Sequence, residues 1–233
     1  MSILAIPSGF AIGAVIGSLG LNAIFHTVRR KNIFDSEKKL AWVPTFVTCI
    51  VVSVGSIKYM VFALTQGFDV TRIIHSDPLS LVLLGFFFSY LVWDLVLGLV
   101  YYRSTITLLN GYIHHSLYIG LTIFAAMKGV SAIFCLMFYN EFPTIILALG
   151  SMRKDWRCDA LFTVTFFSTR IALHTVLLLE FFQHSEIRFL WKLMFLVLPM
   201  HLHWFYGAVR GQIKRNKPES IRSAHEEHLS LFD

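Results

Sequence analysis

The chain has 233 residues, 56% of them hydrophobic and only 15% charged, with a mean hydropathy of +0.65. Soluble domains carry about 25% charged residues, so the composition excludes an ordinary soluble enzyme and indicates a membrane protein. The net charge of +6 does not point to nucleic acid, because the basic residues sit between apolar stretches, where they set orientation and meet anionic headgroups.

A hydrocarbon core needs about 20 apolar residues per helix. Seven spans are expected, at roughly 3–25, 40–64, 79–101, 111–127, 130–149, 159–183 and 188–209. The first carries Gly9, Gly13 and Gly17, a small-xxx-small stripe that predicts close packing, against the other spans or in a homodimer. It does not read as a cleavable signal peptide: no basic segment precedes it, it is long for a signal core, and its positive charges follow it. The third span holds Tyr90, Trp93 and Asp94. The fourth is short and opens with His114 and His115. In the fifth, Pro143 lacks an amide hydrogen and crowds the Tyr139 carbonyl, so a kink is expected beside Glu141. The sixth places Phe166, Arg170 and His174 at helical spacing, and the seventh carries His201 and His203. Lys58 and Lys192 lie near helix ends and can snorkel. Cys49, Cys135 and Cys158 imply no disulfide framework. Cys158, on a basic loop, is open to palmitoylation, although an unmodified thiol is the simpler reading. Phenylalanine, at 22 residues, suits lipid-facing helices and acyl-chain cavities alike.

Fourteen Lys and Arg residues fall in loops 26–39, 102–110 and 150–158 and in the tail, against Arg72, Lys128 and Arg188 on the other side. The positive-inside rule then makes the C-terminus cytosolic and the N-terminus lumenal. By helical rise, Asp94 lies about 12 Å from the cytosolic end of its span, Glu141 and His201 about 13 Å, and Arg170 about 18 Å. His203 lies about 10 Å deep and the paired histidines about 6–8 Å. Ionisable groups inside spans are functional candidates. Their shared half of the bilayer predicts one cavity open to the cytosol. Two carboxylates with one guanidinium remain short of a positive charge, which a protonated histidine or a neutral carboxylic acid would balance. No metal is expected, since adjacent histidines on a helix point about 100° apart. No phosphate-cradling loop, HExxH or GxSxG motif occurs.

Together, FSYLVWDLVL (88–97), GYIHHSLYIG (111–120), YNEFPTIILALGSMRK (139–154) and FFSTRIAL (166–173) resemble the TLC-domain family. That family includes ceramide synthases, translocon-associated membrane proteins and several lipid-regulating proteins. The resemblance covers roughly residues 38–212 and implies an all-α, six-helix barrel built by spans two to seven. Residues 1–37 then form one additional helix with its basic loop, and 213–233 a polar cytosolic tail. Asp94 matches the family's acidic residue, His114 and His115 its paired histidines, and Glu141 the acid before a Ser/Thr-Pro or Asn-Pro, where Phe142 stands here. Ceramide synthases carry two aspartates after the histidine pair. This chain has one acid there, Glu141, so the lipid-homeostasis branch is the closer likeness.

The expected function is therefore binding of a long-chain acyl lipid and regulation of membrane lipid composition in the endoplasmic reticulum. The alternative is an acyl-CoA-dependent N-acyltransferase of ceramide-synthase type. His114, His115, Asp94 and Glu141 would then be catalytic, with histidine as general base. Arg170, Tyr90, Trp93, His174, His201 and His203 would bind substrate. The implied partners are membrane lipids, long-chain acyl-CoA or a sphingoid lipid, with no resident cofactor and no nucleic acid. A seven-helix receptor is a remote third reading, since no DRY-like or NPxxY-like motif occurs and Lys192 lies too near a helix end to hold retinal.

Overall fold

The computed structural model describes residues 6–185 and 187–216, and of Asn110 the backbone alone. The start of the first expected span, and Lys217 and Arg222 of the tail, lie outside the described residues. All regular structure among the described residues is helical: α1 (Ser8–Arg30), α2 (Glu37–Leu40), α3 (Trp42–Gly55), α4 (Ile57–Thr65), α5 (Pro78–Tyr101), α6 (His114–Lys128), α7 (Ser131–Met137), α8 (Phe142–Met152), α9 (Asp159–Phe166), α10 (His174–Gln183) and α11 (Phe189–Arg215). A π-helical turn, Leu108–Ile113, leads into α6, and another, Phe167–Leu173, joins α9 to α10.

These elements form seven helical runs where seven spans were expected. Five are long and apolar enough to cross a membrane: Ser8–Arg30, Glu37–Gly55, Pro78–Tyr101, Ser131–Met152 and Asp159–Gln183. The chain is thus an all-helical membrane protein. The other two runs are α6, which is short, and α11, whose apolar stretch is diluted by Lys192, Pro199, His201 and His203.

Local sequence explains the breaks. Asp77 caps α5 through the Ser80 amide, with Pro78 at the first helical position, where no amide hydrogen is needed. Burial alone would raise the Asp77 carboxyl, but the Ser80 amide, the Tyr59 hydroxyl and Lys58 hold it below the usual carboxylate range. Gly129, at φ 71°, ends α6 in the left-handed conformation that glycine adopts without strain. The kink expected at Pro143 is present as a tight turn, Phe138–Glu141, between α7 and α8.

The glycine stripe of α1 packs against α5 of the same chain. A Cβ at Gly13 would fall on the Val82 carbonyl, and one at Gly85 on the Phe10 carbonyl, so two backbones touch there. Of the two partners expected for Gly9, Gly13 and Gly17, a neighbouring span or a second copy, the neighbouring span occupies the face. The other six runs form a ring. Helix α3 packs on α5 and α8, α5 on α6, α8 on α9, and α11 on α9 and α10. Outward faces are apolar, with Val15, Leu19, Val61, Leu179 and Leu196 exposed, as hydrocarbon requires. The basic loops gather at one end of the bundle, called here the basic end.

Candidate functional site

A cavity of about 540 Å³ enters the ring from the basic end. That lies within the range of about 300–1,000 Å³ typical of small-molecule sites. Its rim comes from four separate segments, through Lys38, Thr105, Arg157 with Cys158, and Arg215. Asp159 is bracketed by Arg157 at 3.0 Å and Arg215 at 2.6 Å, and with Lys38 also on the rim the cations outnumber this carboxylate, so the rim stays positive.

The inner wall contains two polar clusters, each with one carboxylate. In the first, Asp94 accepts a hydrogen bond from the Tyr102 hydroxyl at 2.8 Å and faces His115 Nε2 at 3.3 Å. The Nδ1–H of His115 donates to the Gly111 carbonyl at 2.9 Å, in the π turn. Both ring nitrogens are therefore committed, and one proton must lie between Asp94 and His115 for the contact to be a hydrogen bond. Tyr102 reaches back to Asp94 because α5 has Gly98 on that face, where a Cβ would collide with Ile106 and crowd the Tyr102 ring.

The second cluster is built on Arg170, whose Nε donates to the Asn140 carbonyl at 2.6 Å. Its Nη2 donates to Thr144 Oγ1 at 2.9 Å and to Glu141 Oε2 at 3.3 Å. Thr144 in turn donates to Glu141 at 3.1 Å. The guanidinium also lies 5.2 Å from the Phe166 ring centre and 5.5 Å from that of Trp204. Each carboxylate has its own nitrogen partner, Arg170 for Glu141 and His115 for Asp94, and the charge shortfall read from the sequence is met when one proton is held between Asp94 and His115.

His114 is different. Its ring lies among Tyr118 (4.6 Å between centres), Trp204 (5.2 Å) and His115 (5.4 Å), and its buried Nδ1 has no hydrogen-bond partner. A buried nitrogen without a partner costs about 1–3 kcal/mol, which a ligand donor, or a proton taken from one, would recover.

Of the ten side chains expected at the site, Tyr90, Asp94, His114, His115, Glu141 and Arg170 line the cavity. Trp93, His174, His201 and His203 do not. Trp93 turns about 100° from Asp94 and packs behind the wall with Leu97 and Tyr102. His203 is exposed, since two positions along a helix rotate it about 200° from buried His201. His201 donates to the Arg170 carbonyl at 3.1 Å and is a brace. His174 donates to the Met194 carbonyl at 3.0 Å. The π turn between Arg170 and His174 shifts their register, so i, i+4 spacing no longer places both on the cavity. Sequence reasoning missed Thr45, Tyr102, Thr144 and Trp204 as lining residues. Hydroxyl and indole groups in spans give no charge signal, and of the four only Thr144 stands one turn from a charged site residue, Glu141. No group of three potential metal ligands stands together among the described residues.

Searches of family models, curated proteins and solved structures find no match to this chain.

Proposed function

We propose that this chain is a seven-span membrane protein of the TLC type that takes the polar end of a long-chain acyl lipid into its cavity and so regulates membrane lipid composition. The observation that carries the reading is the cavity itself: a polar inner wall, reached through a positive rim, inside a bundle whose outer faces are apolar. The ring of six helical runs, with α1 applied outside on α5, supports the TLC likeness. The basic end is assigned to the cytosol by the charge rule, and the endoplasmic reticulum follows from the resemblance.

A second reading is favoured by one feature, the partnerless Nδ1 of His114. If an acyl thioester occupies the cavity, His114 removes the proton of a lipid amine or hydroxyl as it attacks the thioester carbonyl. The carbon–sulfur bond then breaks, and the proton passes to the departing thiolate. His115, with both nitrogens engaged, positions and does not exchange protons with substrate.

Purified full-length protein separates the readings. Retained lipid is followed by native mass spectrometry, and free thiol and acylated product with a panel of acyl-CoA donors and lipid amines or alcohols. An acyltransferase turns over, and His114→Ala and His114→Asn both lower the rate about 10²–10⁴-fold. A binding protein shows no turnover, and its lipid retention falls modestly with His114→Ala but survives His114→Asn. Absence of both turnover and retained lipid sinks both readings.

A further inference from the structure

The ring around the cavity is closed by helix packing at every joint except one. Helices α6 and α11 stand side by side yet scarcely touch along their backbones. Two aromatic contacts bridge them: His114 to Trp204 at 5.2 Å toward the basic end, and Phe124 to Phe189 at 5.9 Å toward the other. Between these bridges lies a second cavity of about 70 Å³. Leu121 and Ala125 line it from α6, Leu193 and Met194 from α11, and Ile133 and Met137 from α7.

The two cavities meet at one aromatic partition. His114 and Trp204 line the polar cavity, Tyr118 lines the apolar one, and the His114 and Tyr118 rings lie 4.6 Å apart. We infer that the seam between α6 and α11 is the path by which a single hydrocarbon tail passes between the bilayer and the polar cavity, with Trp204 as its gate. This rests on the proposed placement of a lipid's polar end in that cavity. Its own support is the adjacency of a polar chamber and an apolar slot across the contacting rings of His114 and Tyr118. A side-chain partition opens by rotamer change, whereas packed backbones do not. The slot has less than half the volume of the cavity of about 150 Å³ that admits benzene, so it holds only a few methylenes as it stands. Met137 and Met194, flexible and unbranched, are the walls that yield.

The test uses full-length protein in phosphatidylcholine vesicles with a long-chain fatty acid carrying a diazirine at its tail end. After irradiation, labelled residues are mapped by mass spectrometry. Buried Ala125, Ile133, Phe181 and Met194 are expected to be labelled, although none faces the bilayer. Ala125→Phe, which fills the slot, should lower that labelling at least several-fold, and Trp204→Ala should raise it. Labels confined to outward Leu179, Phe182 and Leu196 overturn the seam, and that outcome needs only the wild-type protein. Retained lipid by native mass spectrometry, with no label in the slot, likewise overturns the seam and leaves the binding function standing. No retained lipid and no label overturn the function and the inference together.

Discussion

Adjacent in sequence, His114 and His115 hold opposite chemical positions, because one helical step turns the side chain by about 100°. His115 points to Asp94 and is satisfied at both nitrogens, whereas His114 points into a cluster of rings and keeps a free Nδ1. Glu141 and Arg170 show the structural kind of buried charge, paired with each other and with Thr144 and the Asn140 carbonyl. Removing one partner of such a pair leaves an uncompensated charge, at a cost of about 3–5 kcal/mol, while replacing both by apolar side chains is often nearly neutral. Glu141→Leu should therefore lower thermal stability sharply, and Glu141→Leu with Arg170→Met should recover most of it. The melt can be read by thiol-reactive dye, since Cys49 and Cys135 are free and buried, after exposed Cys158 is replaced by Ser. Equal losses for the single and double variants would overturn this account. The charged members of the site were legible in sequence because a carboxylate or guanidinium inside an apolar span stands out. Their partition into two clusters was not, because it depends on where Tyr102 folds back and which way each histidine turns.

The two π turns and the break before Pro143 explain why element-level reasoning succeeded in one place and failed in another. Proline announces itself, and the kink beside Glu141 followed from a missing amide hydrogen. A π turn has no such residue signature, so the placement of His174 on the Arg170 face did not survive Phe167–Leu173. Each wide turn presents a main-chain carbonyl to a histidine, Gly111 to His115 and Arg170 to His201, which ties the irregular backbone to the site it shapes. The α1 stripe was legible as a packing face, but sequence left its partner open between a neighbouring helix and a second copy. At Gly13 a side chain would meet the α5 backbone, which cannot rotate away as a side chain can. Gly13→Leu should cost about 1–3 kcal/mol by overpacking, whereas Gly20→Leu, with open space at that position, should leave stability unchanged. A melt of the two variants in one detergent decides it. An unshifted Gly13→Leu protein would mean that α1 does not seat on α5.

At the scale of the whole molecule, the question is whether all seven helical runs cross the membrane or only the five that pass on length and apolarity. The ends of the chain do not discriminate. With α6 and α11 left uncrossed, an odd number of spans still carries the N-terminus and the C-terminal tail to opposite sides. The loop at 153–158 does discriminate: seven spans place it in the cytosol, while five place it in the lumen. The geometry argues for the first, because Lys38, Thr105, Arg157, Cys158 and Arg215 border one cavity, and segments that share a rim share a side of the membrane. The charge rule agrees, since Arg153, Lys154 and Arg157 would otherwise be lumenal. Cys158 supplies the measurement, being the exposed cysteine of the three. In intact microsomes, whose cytosolic face is outward, a membrane-impermeant maleimide should label wild-type protein and fail to label Cys158→Ser. A protease should remove a C-terminal tag from the same vesicles, and an N-terminal glycosylation acceptor should be modified. Labelling of Cys158 only after detergent would put the loop in the lumen, separate it from Lys38 and Arg215, and dismantle the shared rim on which the cavity depends.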